Sequence, residues 1–183
     1  MDALAHYDRN DFQQALEAFQ PISDTSKVLF NCGVIHATIG RHRMAVRIQR
    51  KLSSDNYLTP LQVEYYQRAT ALDQYFAVAY FQQGVSNFLM GEFEEALANF
   101  NDALLYLRGN DQINYEQLGL NFTLFSCEIM FNRGLCYVYL QQPEQGFRDL
   151  KYAAKEKKKI THDVIDDAIR DNAEVSSRNN LLA

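Results

Sequence analysis

The residue types that usually carry catalysis or bind metals are sparse in this chain. The sequence has three cysteines and four histidines, His6, His36, His42 and His162. They form no zinc-type spacing pattern, and no G-x-S-x-G, P-loop or dinucleotide fingerprint occurs. The acidic pairs Glu94–Glu95 and Asp166–Asp167 are typical of solvated helix faces. These residues predict no catalytic centre, no metal site and no cofactor, so we expect the chain not to be an enzyme.

Composition excludes further classes of function. The chain of 183 residues carries 18 basic and 23 acidic side chains, a net charge of −5, so it lacks the overall basic balance that phosphate binding needs. No apolar run approaches the roughly 18 residues that a membrane span requires. An odd number of cysteines without a C-x-x-C pair suggests reduced thiols. We therefore expect a cytoplasmic protein with no nucleic-acid partner and no direct membrane insertion.

The elements that must position any functional residue are helices in a repeat. The clearest copy runs from Ala77 to Asn110 and has a period of about 34 residues. Its small and aromatic residues at repeat positions 4, 8, 15, 17, 20, 24 and 27 are Tyr80, Gly84, Gly91, Phe93, Ala96, Phe100 and Ala103. Gly and Ala permit two helices to cross closely, and residues three apart share one helix face. This spacing is the signature of the tetratricopeptide repeat.

Two other copies depart from the regular spacing. A later copy begins near Cys127, with Gly134 at position 8 and Gly146 where alanine is usual. In the second copy, Ser26 to Gly40 predicts helix A, and removing residues 46–62 restores the expected spacing of helix B. We read 46–62 as an insert that divides helix B into two short pieces. Two origins remain open, a translated intron that could leave a defective product, or a genuine surface loop.

These spacings predict an all-α fold, a right-handed tetratricopeptide-repeat superhelix of about four repeats. The first repeat is only partly present, because the chain starts inside its expected helix A. We assign residues 1–174 to this domain and residues 175–183 to a disordered tail, which could likewise be intron-derived.

A second insert, residues 108–126, follows the third repeat. Its segment RGNDQINYEQLGL loses helical periodicity, contains several turn formers and includes QINY, which has strand character. We predict a short loop or β-hairpin between repeats three and four. Inserts in solenoids are often part of the binding face, although a purely decorative loop is the alternative. The basic run of residues 155–159 predicts a charged helix end, with an anionic surface as the alternative partner.

Three of these segments carry a resemblance to a known family. AVAYFQQGVSNF, ALLYLRGNDQINYEQLGL and FSCEIMFNRGLCYVYLQQ resemble the tetratricopeptide domain of NADPH oxidase activator subunits. That family includes the fungal Nox regulator and the large cytosolic activator of the phagocyte oxidase. The resemblance covers roughly residues 4–40 and 64–174, and the LRGN motif with its insert is the most specific part.

The resemblance implies a partner and a binding site. In the family, this domain binds the GTP form of a Rac-type small GTPase and takes part in activating a superoxide-producing NADPH oxidase. By position, Arg108 and Asn110 match the main contact residues, and Ser26 and Asp73 match supporting loop contacts.

Some neighbouring positions differ from the phagocyte version of the domain. Gln112 and Asn114 also match contact positions, although Gln112 stands where that version has Leu and Asn114 where it has Asp. Tyr75 stands where it has His. In relatives, a last amphipathic helix, here near Asp163 to Ala173, packs back along the repeat groove.

A generic adaptor that binds peptide segments of partner proteins, as chaperone adaptors do, is the alternative function. Such a module needs Lys, Arg and Asn on successive A helices to hold a terminal carboxylate. Asn31 is suitably placed, whereas the third A helix, AVAYFQQG, carries no cation.

Overall fold

The computed structural model describes residues 3–50, 60–116 and 122–170. In these ranges the helices follow one another in pairs: α1 (Ala3–Asp8), α2 (Phe12–Phe19), α3 (Ser26–Arg50), α4 (Pro60–Leu72), α5 (Ala77–Met90), α6 (Phe93–Leu107), α7 (Ser126–Tyr139) and α8 (Pro143–Lys155). Two short strands, β1 (Gln112–Asn114) and β2 (Thr123–Phe125), lie between α6 and α7. The 3₁₀ turns are Gln20–Ile22 and Ile160–Asp163, and residues 164–170 are helical.

The chain divides into two compact units, Met1–Glu92 and Phe93–Ala183. In the first unit, the short helices α1 and α2 bury Ala15 and Phe19 against Cys32 and Ile35 of α3. This short pair corresponds to the partial first repeat expected from the sequence. Gly91 ends α5 in the left-handed conformation, with φ of 85°, which glycine adopts at little cost.

Helices α3 and α4 cross closely at a glycine. With residues 46–62 removed, Tyr66 and Ala69 of α4 fall at repeat positions 24 and 27, and both are completely buried. A methyl group on Gly33 would lie 2.5 Å from Cε1 of Tyr66, so the ring occupies the space that a side chain would fill. The same ring packs against Phe30 at a centroid distance of 5.7 Å. Close crossing here therefore depends on glycine at position 33.

The second repeat differs from the prediction at its first turn. Helix α3 continues to Arg50, so the expected end of helix A at Gly40 is wrong. Gly40 does not adopt the positive φ of a helix-ending glycine, and residues 41–50 contain no proline and several good helix formers. Of the two predicted pieces of helix B, residues 41–45 continue α3, and the second piece lies in α4, an uninterrupted helix of 13 residues that begins at Pro60. Residues 51–59 of the predicted insert lie outside the described residues, as does the predicted tail.

The second unit is built from α6, α7, α8 and the strands. Phe100 and Ala103 of α6 are completely buried, as are Leu150 and Ala153 of α8. At the crossing of α7 and α8, a methyl group on Gly146 would lie 2.7 Å from the carbonyl oxygen of Gly134. Two glycines thus face each other where one glycine and one alanine are usual, and a backbone oxygen occupies the space that a side chain at position 146 would fill.

We expect Gly146→Ala to destabilise the protein, although alanine is the usual residue at this repeat position. The added methyl would also lie 2.8 Å from Cγ2 of Val138, and backbone cannot move aside cheaply. Overpacking of this kind costs about 1–3 kcal/mol, which exceeds the gain of about 1 kcal/mol in helix propensity. Urea unfolding followed by circular dichroism measures the difference. The control is Gly40→Ala, whose methyl has ordinary space, 3.7 Å from Oε1 of Gln62, and an unchanged or raised stability for Gly146→Ala would refute the argument.

Candidate functional site

The site begins where α6 ends. Arg108 and Gly109 both have positive φ, 55° and 76°, which turns the chain sharply out of the helix. The backbone N–H and the side-chain amide of Asn110 both donate to the carbonyl oxygen of Leu107, at 3.0 and 2.7 Å. Leu107 is itself buried, so the turn is fixed at its base. Arg108 is exposed and occupies a left-handed conformation that costs a non-glycine residue about 1 kcal/mol or more.

Of the two predicted alternatives, a short loop or a β-hairpin, the insert forms the hairpin. Strands β1 and β2 pair antiparallel, with Gln112 opposite Phe125 and Asn114 opposite Thr123. The backbone N–H of Ser126 donates to the carbonyl oxygen of Asp111 at 2.8 Å, which closes the base of the hairpin. Successive strand residues face opposite sides of the hairpin, and both sides contribute to its anchoring. Leu124 is buried on one side and Phe125 on the other, where β2 passes into α7, and Tyr115 is buried just after β1.

The four insert residues predicted to bind a partner lie between the turn after α6 and the end of β1, residues 108–114, which we call the exposed edge. Arg108, Asn110, Gln112 and Asn114 are all exposed. The side chain of Asn114 accepts from the backbone N–H of Glu116 at 2.9 Å and donates to its carboxylate at 3.2 Å. The amide of Asn114 therefore holds the backbone at the end of β1 in place. Gln112, the first residue of β1, lies opposite Phe125 and is exposed.

The two supporting residues lie in the first unit. Ser26 is the half-buried first residue of α3, directly after Thr25, whose hydroxyl accepts from the backbone N–H of Val28 at 3.4 Å. Asp73 lies in the turn between α4 and α5, where its carboxylate accepts from the backbone N–H of Tyr75 at 3.0 Å. Ser26 thus begins a helix, whereas Asp73 lies in an interhelical turn. The structure places four of the six predicted residues on one surface and these two in the other unit.

Acidic and aromatic side chains of the second unit contact the basic run, residues 155–159. Helix α8 ends at Lys155, and only this lysine lies in its last turn. Lys157 forms ion pairs with Asp163 and Asp166 at 3.0 and 2.6 Å, and Lys158 lies 3.6 Å from Asp111. The Nζ of Lys159 lies 4.4 Å from the ring centroid of Phe125. Most of the run therefore follows the helix instead of ending it. Its lysines contact nearby carboxylates and an aromatic ring.

A buried histidine network lies behind the hairpin, and sequence spacing did not reveal it. His162 lies 3.3 Å from Sγ of Cys127 through Nδ1 and 3.3 Å from the carboxylate of Glu128 through Nε2. The backbone N–H of Lys158 donates to Nδ1 at 3.2 Å, so Nδ1 is the acceptor and Nε2 carries the proton. Cys127 and His162 are 35 residues apart in the sequence, so only tertiary packing brings them together.

This network resembles a nucleophile–base pair but lacks the properties of one. Cys127 is completely buried, and burial raises the pKa of its thiol, which disfavours the reactive thiolate. Burial likewise raises the pKa of Cys136 to about 12 and that of Cys32 to about 11, the latter partly offset by Arg68. The three thiols therefore act as packing groups, and Cys127 donates a weak hydrogen bond to His162.

The described ranges contain neither a cluster of metal ligands nor a helix that could span a membrane. Nowhere in residues 3–50, 60–116 and 122–170 do three His, Cys, Asp or Glu side chains cluster closely enough to hold a metal ion. Within those same ranges, no helix combines the length and the apolar character needed to cross a membrane.

Comparison with characterised proteins identifies relatives for most of the chain. No family model matches the sequence. Neutrophil cytosol factor 2 of Bos taurus is 29% identical over 163 residues, which cover 88% of this chain and 28% of that protein. NADPH oxidase activator 1 of Rattus norvegicus is 33% identical over 125 residues, covering 68% and 24%. NADPH oxidase activator of Dictyostelium discoideum is 27% identical over 134 residues, covering 73% and 19%. The chain thus spans little more than a quarter, at most, of these relatives.

Solved structures agree on the fold. The crystal structure of MamA superposes with a TM-score of 0.64 at 16% identity and covers 94% of this chain and 89% of MamA. The first tetratricopeptide domain of Spaghetti, solved with a bound HSP90 peptide, has a TM-score of 0.59 at 14% identity, covering 85% and 95%. These likenesses confirm the predicted all-helical tetratricopeptide fold, here with a two-stranded insert. Together with the shared sequence, they identify the chain as a tetratricopeptide-repeat domain of the NADPH oxidase activator type.

Proposed function

We propose that this domain is a non-catalytic scaffold that binds the GTP-loaded form of a Rac-type small GTPase through the hairpin insert. By this binding it takes part in activating a superoxide-producing NADPH oxidase, in keeping with the names of its relatives. It works in the cytoplasm and is recruited to the membrane-bound oxidase through its partners. Arg108 and Asn110 form the centre of the interface, flanked by Gln112 and Asn114 and supported by Ser26 and Asp73.

The observation that carries this proposal is the rigid presentation of Arg108. A buried leucine, a left-handed turn and two hydrogen bonds from Asn110 fix the backbone on which the guanidinium stands. Because the backbone is already ordered, binding loses less conformational entropy than a mobile loop would lose. Arginine is enriched at the centres of protein interfaces and offers five donors in a planar fork.

Nucleotide dependence has a physical basis in the partner. The γ-phosphate and its magnesium order the switch loops of a small GTPase, and hydrolysis releases them. A scaffold that discriminates between the two states must therefore contact surface that only the ordered loops present. The exposed polar edge of the insert, with donors on Arg108, Asn110 and Gln112, suits ordered loop carbonyl and carboxylate groups.

Calorimetric titration tests the proposal directly. The purified chain is titrated with a Rac-type GTPase loaded either with a non-hydrolysable GTP analogue or with GDP. We expect the GTP-analogue form to bind at least roughly tenfold more tightly, within the usual range of coupling between linked sites. A folded, helical chain that binds neither form, or binds both equally, would refute the proposal.

A second candidate function is a peptide adaptor, and the structural likeness to the Spaghetti domain favours it. That domain was solved with the HSP90 peptide SRMEEVD, whereas helix α5 here offers no cation to hold a terminal carboxylate. Titration with a short acidic peptide that ends in a free carboxylate separates the two functions. Binding of the peptide without binding of the GTPase would favour the adaptor.

A further inference from the structure

We propose that the segment after α8, residues 156–165, is a clasp that holds the hairpin insert in its binding conformation. The inference rests on the proposed function, because it concerns how the same surface is kept ordered. It assigns His162 and Lys159 as positioning residues, which act on the partner only through the hairpin. The segment contributes neither to the exposed edge nor to the repeat signature, so its role lies behind the site.

The clasp contacts both ends of the hairpin. Lys158 pairs with Asp111, the residue just before β1, at 3.6 Å. Lys159 lies over the ring of Phe125, the last residue of β2, and the ring of His162 meets the same phenyl edge-on at 5.3 Å. One segment of chain therefore touches the entry and the exit of the hairpin at once.

The clasp is itself anchored to the body of the second unit. His162 hydrogen-bonds Cys127 and Glu128 in the first turn of α7. The carboxylate of Glu128 also accepts from the backbone N–H of Phe125 at 3.2 Å, so one side chain links β2 to His162. Ile165 is buried against Phe125 and Ala153 in a small apolar cluster. The hairpin, α7 and α8 thus meet at this segment.

A two-stranded hairpin of this size needs such support. Two paired strands alone are marginally stable in water, and β1 and β2 have three residues each. The order of the exposed edge therefore depends on what packs behind it. If the clasp opens, the binding-competent fraction of the insert falls, and the apparent dissociation constant rises in proportion.

Hydrogen exchange tests the clasp without any partner. We expect His162→Ala in the full chain to speed exchange of the backbone amides of Tyr115 and Ser126 by about tenfold. A change of this size corresponds to the loss of about one hydrogen bond. Amides in the middle of α7 should keep their protection. His6→Ala removes a similarly buried histidine from the first unit and is the matched control. Unchanged exchange at Tyr115 and Ser126 in a folded His162→Ala variant would overturn the clasp.

Substitutions at the exposed Lys159 test the clasp even if the buried His162→Ala variant fails to fold. Lys159→Met removes the cation over Phe125, and Lys159→Arg restores it, so only the first should speed hairpin exchange. Lys151→Met removes a comparable lysine–phenyl contact, 5.4 Å from Phe147, away from the hairpin and should leave exchange unchanged. Equal behaviour of the Lys159→Met and Lys159→Arg variants would overturn the assignment of Lys159.

Titration of the same variants with the GTP-analogue form tests the consequence for binding. His162→Ala should raise the dissociation constant by roughly 3–10-fold with no change in any exposed insert residue. Faster hairpin exchange with unchanged affinity would overturn the link to binding. If the unmodified chain does not bind the GTPase, the proposed function fails on its own, and the exchange experiment alone decides whether the clasp exists.

Discussion

Arg108→Glu is expected to abolish binding of the GTP-loaded GTPase while leaving the helical content of the chain unchanged. Truncation of a central interface arginine often costs about 2 kcal/mol or more, and charge reversal adds repulsion towards the acidic groups that arginine recognises. The substitution lies on an exposed turn after the last residue of α6, so it changes no residue of that helix. Calorimetry measures the affinity, and circular dichroism reports the fold.

Two companion variants separate charge, conformation and side-chain chemistry. Arg148→Glu makes the same charge change at an exposed position of α8 and should bind normally. Arg108→Gly removes the guanidinium but suits the positive φ of 55°, so it should stabilise the turn and still lose binding. Retained affinity in both Arg108 variants would show that the side chain is not the centre of the interface.

Arg133→Met is expected to destabilise the second unit by about 3 kcal/mol. Arg133 of α7 holds the carboxylate of Asp149 of α8 through two hydrogen bonds of 2.6 and 2.9 Å, and it reaches Asn101 of α6 at 3.0 Å. The Asp149 side chain is only 10% exposed. Burial by itself would lower the pKa of Arg133, but the hydrogen bonds and charge of Asp149 outweigh burial and raise it. Methionine keeps the apolar stem and leaves the buried carboxylate without its cation.

Urea unfolding measures the loss of stability in Arg133→Met. The control is a substitution in an exposed ion pair. Arg170 and Asp167 pair at a site where both side chains are about two-thirds exposed, so Arg170→Met should change stability by less than about 1 kcal/mol. Replacing both buried partners, as Arg133→Met with Asp149→Leu, should recover much of the loss because no buried charge remains. Equal effects of Arg133→Met and Arg170→Met would show that burial does not govern the pair.

The sequence by itself determined the repeat and the kind of insert. Small residues and aromatic residues recur at fixed repeat positions, and this local periodicity dictates which face of each helix is apolar. The full burial of Tyr66, Ala69, Phe100 and Ala103 follows from that rule. Turn formers around QINY likewise predicted a short loop or β-hairpin at this place, because strand and turn preferences act over a few residues.

Tertiary structure alone decided where α3 stops, how closely α7 and α8 approach and what lies behind the hairpin. A glycine such as Gly40 ends a helix only if the chain turns there, and the same residue type at Gly146 instead admits a neighbouring backbone. The contact of His162 with Cys127 has no local signature. These features depend on packing between residues distant in sequence, which periodicity does not encode.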